Sequence, residues 1–260
     1  MASHTSDKTA RHRIFKASAA PWNAGDIIQL PEEEAHHLLK VLRAKNSEII
    51  ELANPKLALL FEAKIIFAKP SIQLEIVKEK SVLQKNYHSK LIFALCKATR
   101  NELAIEKATE LGVDEIILFE SERSVAKLSE NKLERLKRIT HSAAAQSKRV
   151  TLPRLRHADD LENLKRLISD DAEDSACTKI ICSLEKKRQN LSELIGENKN
   201  YLIAVGPEGD FTETEYRFFE ELNFMPIGLS HKVLRSETAA LSILAAIEVM
   251  EFDEDPSKLN

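Results

Sequence analysis

The sequence has few cysteines and no long apolar run, and each shortage excludes a class of protein. Cys96, Cys177 and Cys182 are an odd number without CxxC spacing, which argues against a disulfide framework and predicts buried or free thiols in a reducing compartment. No apolar stretch approaches the roughly 18 residues that span a bilayer, and residues 1–13 lack the apolar middle of a signal peptide. These absences predict a soluble, cytoplasmic protein without a membrane partner.

The fingerprints of several common enzyme classes are also missing. No G-x-G-x-x-G follows a predicted strand and no G-x-x-x-x-G-K-[ST] occurs, so Rossmann dinucleotide binding and P-loop phosphate binding lack their usual sequences. Neither G-x-S-x-G nor H-E-x-x-H is present. The adjacent His36 and His37 have no matching ligand pair downstream, so no metal site is expected.

Glycine is scarce, with six residues in 260, yet Gly206 and Gly209 lie within four positions of each other. The apolar run before them, residues 201–205, is short and stops at Gly206, which predicts a buried strand of a parallel sheet. Thr212 and Glu215 have the spacing of a capping box, so a helix is predicted to follow. Ligands bind at strand ends in α/β sheets, and glycine permits close approach to the backbone, so this loop is a candidate ligand site.

A second strand, loop and helix follow the first. Residues 224–229 predict a strand, and Ser236 is a candidate cap for a helix over 237–250, which is apolar nearly all round and predicted to be buried. Either loop alone could be only a turn or a helix start, but two loops on adjacent strand ends favour a pocket. The loop between strand and helix carries three cations that packing does not explain: His231, Lys232 and Arg235.

Hydrophobic periodicity predicts an α/β chain in two parts: a small β domain, residues 1–77, and an α/β domain, residues 78–260. Short β-branched segments dominate the first part, with one helix over 32–43. The second part alternates between strands and helices. Its earlier elements are predicted as strands at 91–96, 115–119 and 179–182, and helices at 101–111, 130–147 and 161–168.

Charge is distributed unevenly along the chain, although the net charge is only -3. Residues 1–156 hold 27 Lys+Arg against 19 Asp+Glu, and residues 157–260 hold 11 against 22. The sharpest excess lies in residues 122–156, with ten cations and three acids. A solvated helix face is the usual reason for such a block, but this concentration favours a polyanionic partner.

Six short sequences along the chain carry a family resemblance. VGPEG at 205–209 and LRSETA at 234–239 belong to the two candidate loops, and HHLLKVLR at 36–43 lies in the predicted β domain. Three further segments lie between them: KATELGV at 107–113, SERS at 121–124 and AQSKR at 145–149, with Pro153 behind the last. Together they resemble the C-terminal signature, the N-terminal motif and the central blocks of the RsmE family, 16S rRNA uracil-N3 methyltransferases of the SPOUT superfamily.

The resemblance implies a PUA-like β-barrel RNA-binding domain followed by a SPOUT-type α/β domain with a C-terminal trefoil knot. It implies S-adenosylmethionine (SAM) as cofactor, 16S rRNA or the small ribosomal subunit as partner, and a homodimer. The implied cofactor-binding residues are Ala204, Val205, Gly206, Pro207, Glu208, Gly209, Leu229, Ser230, Val233 and Leu234.

The resemblance also leads to roles for individual residues. Arg235 is the candidate cation for the negative charge that develops on the uracil carbonyls, and Glu237 or Glu208 is the candidate proton acceptor. Each glutamate has a structural alternative, Glu237 as an acid in the first turn of a helix and Glu208 as a loop acceptor of backbone N–H bonds. RNA contacts are predicted for Arg13, Lys40, Arg43, Arg123, Lys148 and Arg149.

The sequence departs from the usual family pattern in two places, which leave room for another function. Asp210 stands where a glycine is usual, and Ser230-His231 where Gly-Pro is usual. The alternative hypotheses are a non-catalytic RNA-binding ribosome-assembly factor on the same fold, and a SPOUT ribose 2'-O-methyltransferase. The ordered N-terminal and central motifs speak against the second alternative.

Overall fold

The computed structural model describes residues 12–68, 71–82, 85–169, 177–184, 189–191, 194–195 and 200–251. The chain forms two compact units. The first contains Met1–Leu83 and Ala144–Thr151, and the second contains Gln84–Ala143 and Leu152–Asn260. The segment 144–151 therefore groups with the first unit, although the sequence-based division assigns it to the second domain.

The first unit is built on a five-stranded sheet. Its strands are β1 (Arg13–Phe15), β2 (Ile27–Gln29), β3 (Ile49–Asn54), β4 (Leu59–Ala68) and β5 (Ser71–Lys80). Their order is β1-β3-β4-β5-β2; the β1–β3 pair is parallel and the other pairs are antiparallel. Between β2 and β3, α1 (Glu32–His36) continues into a π-helical turn, His37–Val41, where one helix was predicted. Closure of the sheet into a barrel stays a prediction.

The second unit is built on a six-stranded sheet in which every pair is parallel, in the order β11-β9-β10-β6-β7-β8. The predicted α/β fold class is confirmed by this alternation. In chain order the elements are β6 (His88–Ala94), α2 (Ala98–Glu110), β7 (Glu115–Phe119), α3 (Glu130–Gln146), β8 (Arg154–Ala158), α4 (Leu161–Ser169), β9 (Thr178–Cys182), β10 (Asn200–Val205), α5 (Glu213–Glu221), β11 (Met225–Ile227) and α6 (Ser236–Glu251).

Both faces of this sheet are covered, because alternate strand residues point to opposite faces. Phe93 and Ile203 belong to a cluster that includes Ile243 of α6, whereas Ile92 and Leu202 belong to a second cluster with the helices α4 and α5. Each fully buried aliphatic side chain stabilises the folded state by about 1.5–3 kcal/mol relative to an exposed one. The near-continuous apolar sequence of β10 follows from its place inside the sheet, between β9 and β6.

The structure confirms one predicted helix start and corrects the other. At α5, the Thr212 hydroxyl accepts from the Glu215 amide at 3.3 Å, and the Glu215 carboxylate accepts from the Thr212 amide at 2.8 Å, which completes the capping box. At α6 the predicted cap is wrong, because Ser236 is already helical. The Arg235 carbonyl accepts from the Ala239 amide at 2.8 Å, so Arg235 occupies the capping position.

The predicted burial of α6 holds for only part of the helix. Seven of its 16 residues are buried, whereas Thr238, Ser242, Val249 and Met250 are exposed, Val249 to 75%. Within the described ranges, no helix is long and apolar enough to cross a membrane, and no group of three metal-ligating side chains occurs. None of the three cysteines forms a disulfide bond. The trefoil knot remains a prediction from the family resemblance.

Candidate active site

A cavity of about 240 Å³ lies at the carboxyl ends of β9, β10 and β11. The loops after β10 and β11 form most of its wall, and the first turn of α6 completes it. Parallel strands end at the same edge of a sheet, so the two loops come together there. The lining residues are Arg100, Cys182, Ser183, Leu184, Val205, Gly206, Pro207, Glu208, Asp210, Ile227, Leu229, Ser230, Lys232, Val233, Leu234, Arg235, Ser236 and Ala239.

Most of the residues predicted to hold a cofactor line this cavity, and so does Arg235. Two predicted cofactor residues do not: Ala204 is fully buried in the sheet, and Gly209 packs against Arg123. Sequence reasoning missed Arg100 and the residues after β9, such as Ser183. The strand predicted at 179–182 could have indicated the latter, because its carboxyl end shares the edge where the two loops lie.

The loop after β10 turns back tightly on itself, which explains Gly206. A Cβ at this position would lie 3.2 Å from Phe211 Cδ2 and 3.3 Å from Asp210 Oδ1. Packing within the loop therefore accounts for this glycine. The reason predicted from the sequence was a different one, the close approach of a ligand to the backbone. At Gly209 a Cβ would meet the Arg123 side chain at 3.4 Å.

Asp210 adopts a left-handed backbone conformation, with φ 61°. Such a φ is uncommon outside glycine, although aspartate tolerates it better than most residues. Its Oδ1 accepts from the Phe211 amide at 2.8 Å and from the Tyr216 hydroxyl at 2.8 Å. These two bonds fix the side chain and preserve the turn without glycine.

Arg123 braces the same loop from outside. Its Nη1 donates to the Gly209 carbonyl at 2.9 Å and to the Phe211 carbonyl at 3.4 Å. The neighbouring Glu122 amide donates to Glu215 Oε1 at 2.8 Å, which ties the segment to the first turn of α5. The guanidinium predicted to contact RNA is thus engaged with the loop backbone.

Glu208 is held as an ionised carboxylate. Arg100 Nη1 lies 2.9 Å from its Oε1, and the Lys97 amide donates to the same oxygen at 3.4 Å. Burial raises the pKa of Glu208, but hydrogen bonds from its own backbone amide, Cys96 and Lys97 and the charge of Arg100 outweigh burial and hold the pKa below its usual value. A carboxylate with a lowered pKa is a weak proton acceptor.

Glu237 has a different environment, in the first turn of α6. The residue is 7% exposed, and its Oε1 lies 3.8 Å from Arg100 Nε. Its Oε2 is buried and has no hydrogen-bond partner among the described residues. An unpartnered buried carboxylate oxygen is costly, which marks Glu237 as a candidate for ligand or proton binding.

The model of the RNA methyltransferase domain matches residues 83–248, which is more than half of the chain. The chain belongs to the RNA methyltransferase family. The predicted family is confirmed. A second family model, the RNA methyltransferase PUA domain, matches residues 30–77 within the first unit.

Relatives from several bacteria share this assignment. Ribosomal RNA small subunit methyltransferase E of Bacillus subtilis is 30% identical over 83% of this chain and 87% of its own length. The protein of the same name from Mesomycoplasma hyopneumoniae is 37% identical over 59% of this chain and 66% of its own length. The Neisseria gonorrhoeae protein of this name, solved bound to S-adenosyl methionine, is 28% identical with a TM-score of 0.81, over 92% of this chain and 97% of that one.

Apart from Arg123, the basic residues predicted to bind RNA in this family member lie in the first unit, where they fall into two groups. Lys40 and Arg43 are exposed, on and just after the π-helical turn, and their side chains have no ion-pair or hydrogen-bond partner in the described part of the chain. Arg13 is buried, and its Nη2 lies 2.7 Å from Glu51 Oε2. That ion pair gives Arg13 a structural role and speaks against a phosphate contact.

The segment 144–151 joins that ion pair. Lys148 Nζ lies 3.4 Å from Glu51 Oε2, and the Lys148 carbonyl accepts from the Arg13 guanidinium. Burial raises the pKa of Glu51, but Arg13, Lys80 and Lys148 outweigh burial and hold the pKa below its usual value. Arg149 Nη2 is 3.5 Å from the Thr151 hydroxyl. An RNA role for Lys148 and Arg149 stays a prediction.

Proposed function

We propose that this protein transfers a methyl group from SAM to N3 of a uridine in 16S rRNA of the small ribosomal subunit. The observation that carries the proposal is the cavity at the strand ends, built by both signature loops in a chain of the RNA methyltransferase family. Relatives named ribosomal RNA small subunit methyltransferase E support the substrate class. N3 as the target atom rests on the sequence resemblance.

The residues of the cavity fit SAM chemically. Leu229, Val233 and Leu234 are accessible lining residues that offer apolar surface suited to an adenine ring, and charged side chains suit the amino-acid portion of the cofactor. The crowded turn at Gly206 places the loop backbone along the cavity wall. Two relatives, from Neisseria gonorrhoeae and Legionella pneumophila, have been solved with SAM bound.

When bound, SAM supplies an electrophilic methyl group on a positively charged sulfur. The protein must hold the uracil in line with that methyl and stabilise the N3 anion, whose charge spreads over O2 and O4. Positioning of this kind is worth about 7–11 kcal/mol. Arg235 is exposed at the cavity and carries the cation suited to those carbonyl oxygens.

Between the two candidate proton acceptors, the environment favours Glu237. Glu208 is engaged by Arg100 and has a lowered pKa, whereas Glu237 has an oxygen without a partner among the described residues. The target base must leave its stack to reach the cavity, and Lys40 and Arg43 are the candidates to grip the surrounding phosphates. We expect a homodimer in the cytoplasm.

The test combines calorimetry with nucleoside analysis. Parent protein should bind SAM, and Val233→Trp, at an exposed position of the cavity, should not; Gly206→Trp is a poorer choice because the turn has no room for a side chain. Methylated 16S rRNA should then yield 3-methyluridine. No SAM binding by folded parent protein would leave the assembly-factor hypothesis, and a methyl group on ribose would leave the 2'-O-methyltransferase hypothesis.

A further inference from the structure

We infer that Asp210 is a specificity-determining residue, whose carboxylate makes the cavity favour the cationic cofactor SAM over its neutral demethylated product, S-adenosylhomocysteine. The inference rests on the proposed function, because it assumes that the cavity holds SAM. It deepens that function by naming the residue through which the site distinguishes the two forms of one ligand.

The position and fixation of Asp210 are the first support. The residue lines the cavity, in the loop that joins β10 to α5. Both of its side-chain hydrogen bonds, from the Phe211 amide and the Tyr216 hydroxyl, end on Oδ1. Within the described residues, nothing donates a hydrogen bond to Oδ2. The carboxylate is therefore held rigidly at the cavity wall with one oxygen not engaged by the described part of the protein.

The charges around the cavity are the second support. Its other acid, Glu208, lies 2.9 Å from Arg100, so these two charges offset each other. Lys232 and Arg235 are also lining residues, and both are cations. Asp210 forms no ion pair with a described residue. The charged lining side chains carry a net charge of +1 with Asp210 and +2 without it, so Asp210 reduces the repulsion that a sulfonium would meet.

A comparison of SAM with S-adenosylhomocysteine isolates the attraction between the Asp210 carboxylate and the sulfonium charge. The two ligands share adenosine, ammonium and carboxylate groups, and SAM alone has a methyl group and a positive charge on sulfur. Every contact with a shared group cancels in the ratio of the two dissociation constants. A charge in a small cavity lies within about one Debye length, roughly 8 Å, of the carboxylate, so Coulomb attraction operates whatever the detailed pose.

The experiment measures dissociation constants of SAM and S-adenosylhomocysteine by titration calorimetry, at low salt and in about 0.5 M salt. Asp210→Asn keeps the shape and tolerates positive φ, and Asp210→Gly keeps the backbone conformation; both remove the charge. Each should reduce the preference for SAM about three- to tenfold at low salt, and less at high salt. Tyr216→Phe removes a bond to Oδ1 but keeps the charge, so it should leave the preference unchanged.

The possible results separate this inference from the proposed function. Parent protein that binds neither ligand would overturn both. If parent protein binds SAM but Asp210→Asn weakens both ligands equally, Asp210 contacts a shared group and only the charge inference fails. A change of preference in Tyr216→Phe as large as that in Asp210→Asn would point to loop shape and would also overturn the inference.

Discussion

Two carboxylates approach the same guanidinium, and the protein gives them different chemical characters. Arg100 Nη1 is 2.9 Å from Glu208 and its Nε is 3.8 Å from Glu237. The shorter contact, together with backbone amides, anchors Glu208 as a loop carboxylate. Glu237 is left buried with one oxygen that has no partner among the described residues. Two identical side chains thus have different surroundings, which predict a structural role for Glu208 and a chemical role for Glu237.

Replacement of each glutamate separates these roles. Glu237→Gln should lower the rate of methyl transfer about 10²–10⁴-fold, the usual contribution of a positioned proton acceptor, with little change in SAM affinity. Glu208→Gln should weaken SAM binding, because the loop loses its charged anchor to Arg100. Single-turnover rates and calorimetry measure the two effects. The reverse pattern, with the larger rate loss in Glu208→Gln, would exchange the roles.

Because of Cys96, we expect the free energy of unfolding to fall as the pH rises in the alkaline range. The thiol is fully buried, and burial raises its pKa from 9.0 to about 12, although a Ser236 hydrogen bond acts against the shift. Above pH 9 the unfolded thiol loses its proton while the folded thiol keeps it, so the free energy of unfolding falls with pH. The loss should approach about 1.4 kcal/mol per pH unit between pH 9 and 12 for this group.

Denaturation by urea at pH 8 to 10, followed by circular dichroism, tests this dependence. Cys96→Ala should be less stable at pH 8, because it leaves a cavity, but its free energy of unfolding should fall less steeply with pH. Equal slopes for parent and variant would show that Cys96 does not titrate differently on folding.

At the scale of elements, the segment 121–124 acts as a brace for the loop after β10. Arg123→Lys removes the paired bonds to the Gly209 and Phe211 carbonyls but keeps the charge, so it should weaken SAM binding about tenfold by loosening the loop. Calorimetry measures the effect. Arg217→Lys, at an exposed arginine of α5 paired only with Glu213 among the described residues, is the control and should not change affinity.

If Arg123 contacts RNA instead, Arg123→Lys should keep normal SAM affinity and lose affinity for rRNA. The two outcomes differ in the ligand affected, so one preparation of the variant distinguishes them.

Elements with a local apolar or capping signal could be predicted from the sequence, including β11 with only three residues, and elements without such a signal could not. The strand predicted at 115–119 and the capping box at Thr212 are confirmed, because periodicity and caps are local signals. β1 has only three residues and depends on pairing with β3, and β8 is an edge strand with polar residues, so neither shows a strand pattern. The positions of Arg100 and Asp210 at the cavity wall could not be predicted from the sequence, because they depend on how the elements pack in the fold.

At the scale of the whole molecule, exposed cations of the first unit should set the salt dependence of RNA binding. The side chains of Lys40 and Arg43 have no acidic partner among the described residues that would compete with a phosphate. Replacing both with alanine should reduce the slope of log affinity against log salt by about 0.7 for each phosphate that the variant no longer binds. Fluorescence anisotropy with a 16S rRNA fragment measures the slope.

The matched control is Lys64→Ala, at a lysine of the same unit that lies 3.8 Å from Glu75. It should leave the slope nearly unchanged. A similar decrease in both proteins would indicate diffuse attraction by net charge and not phosphate binding at Lys40 and Arg43.

The pairing of β10 with β6 limits which parts of the sheet can fold during translation. β10 hydrogen-bonds to β6, yet residues 95–199 come between these two strands in the chain. The middle of the sheet therefore cannot form while a ribosome is still making those residues, and the cavity also needs the loop after β11. While residues 95–199 are being made, a nascent chain carries β6 without β10, although β7 can already pair with the other edge of β6. The binding site exists only once translation is almost complete.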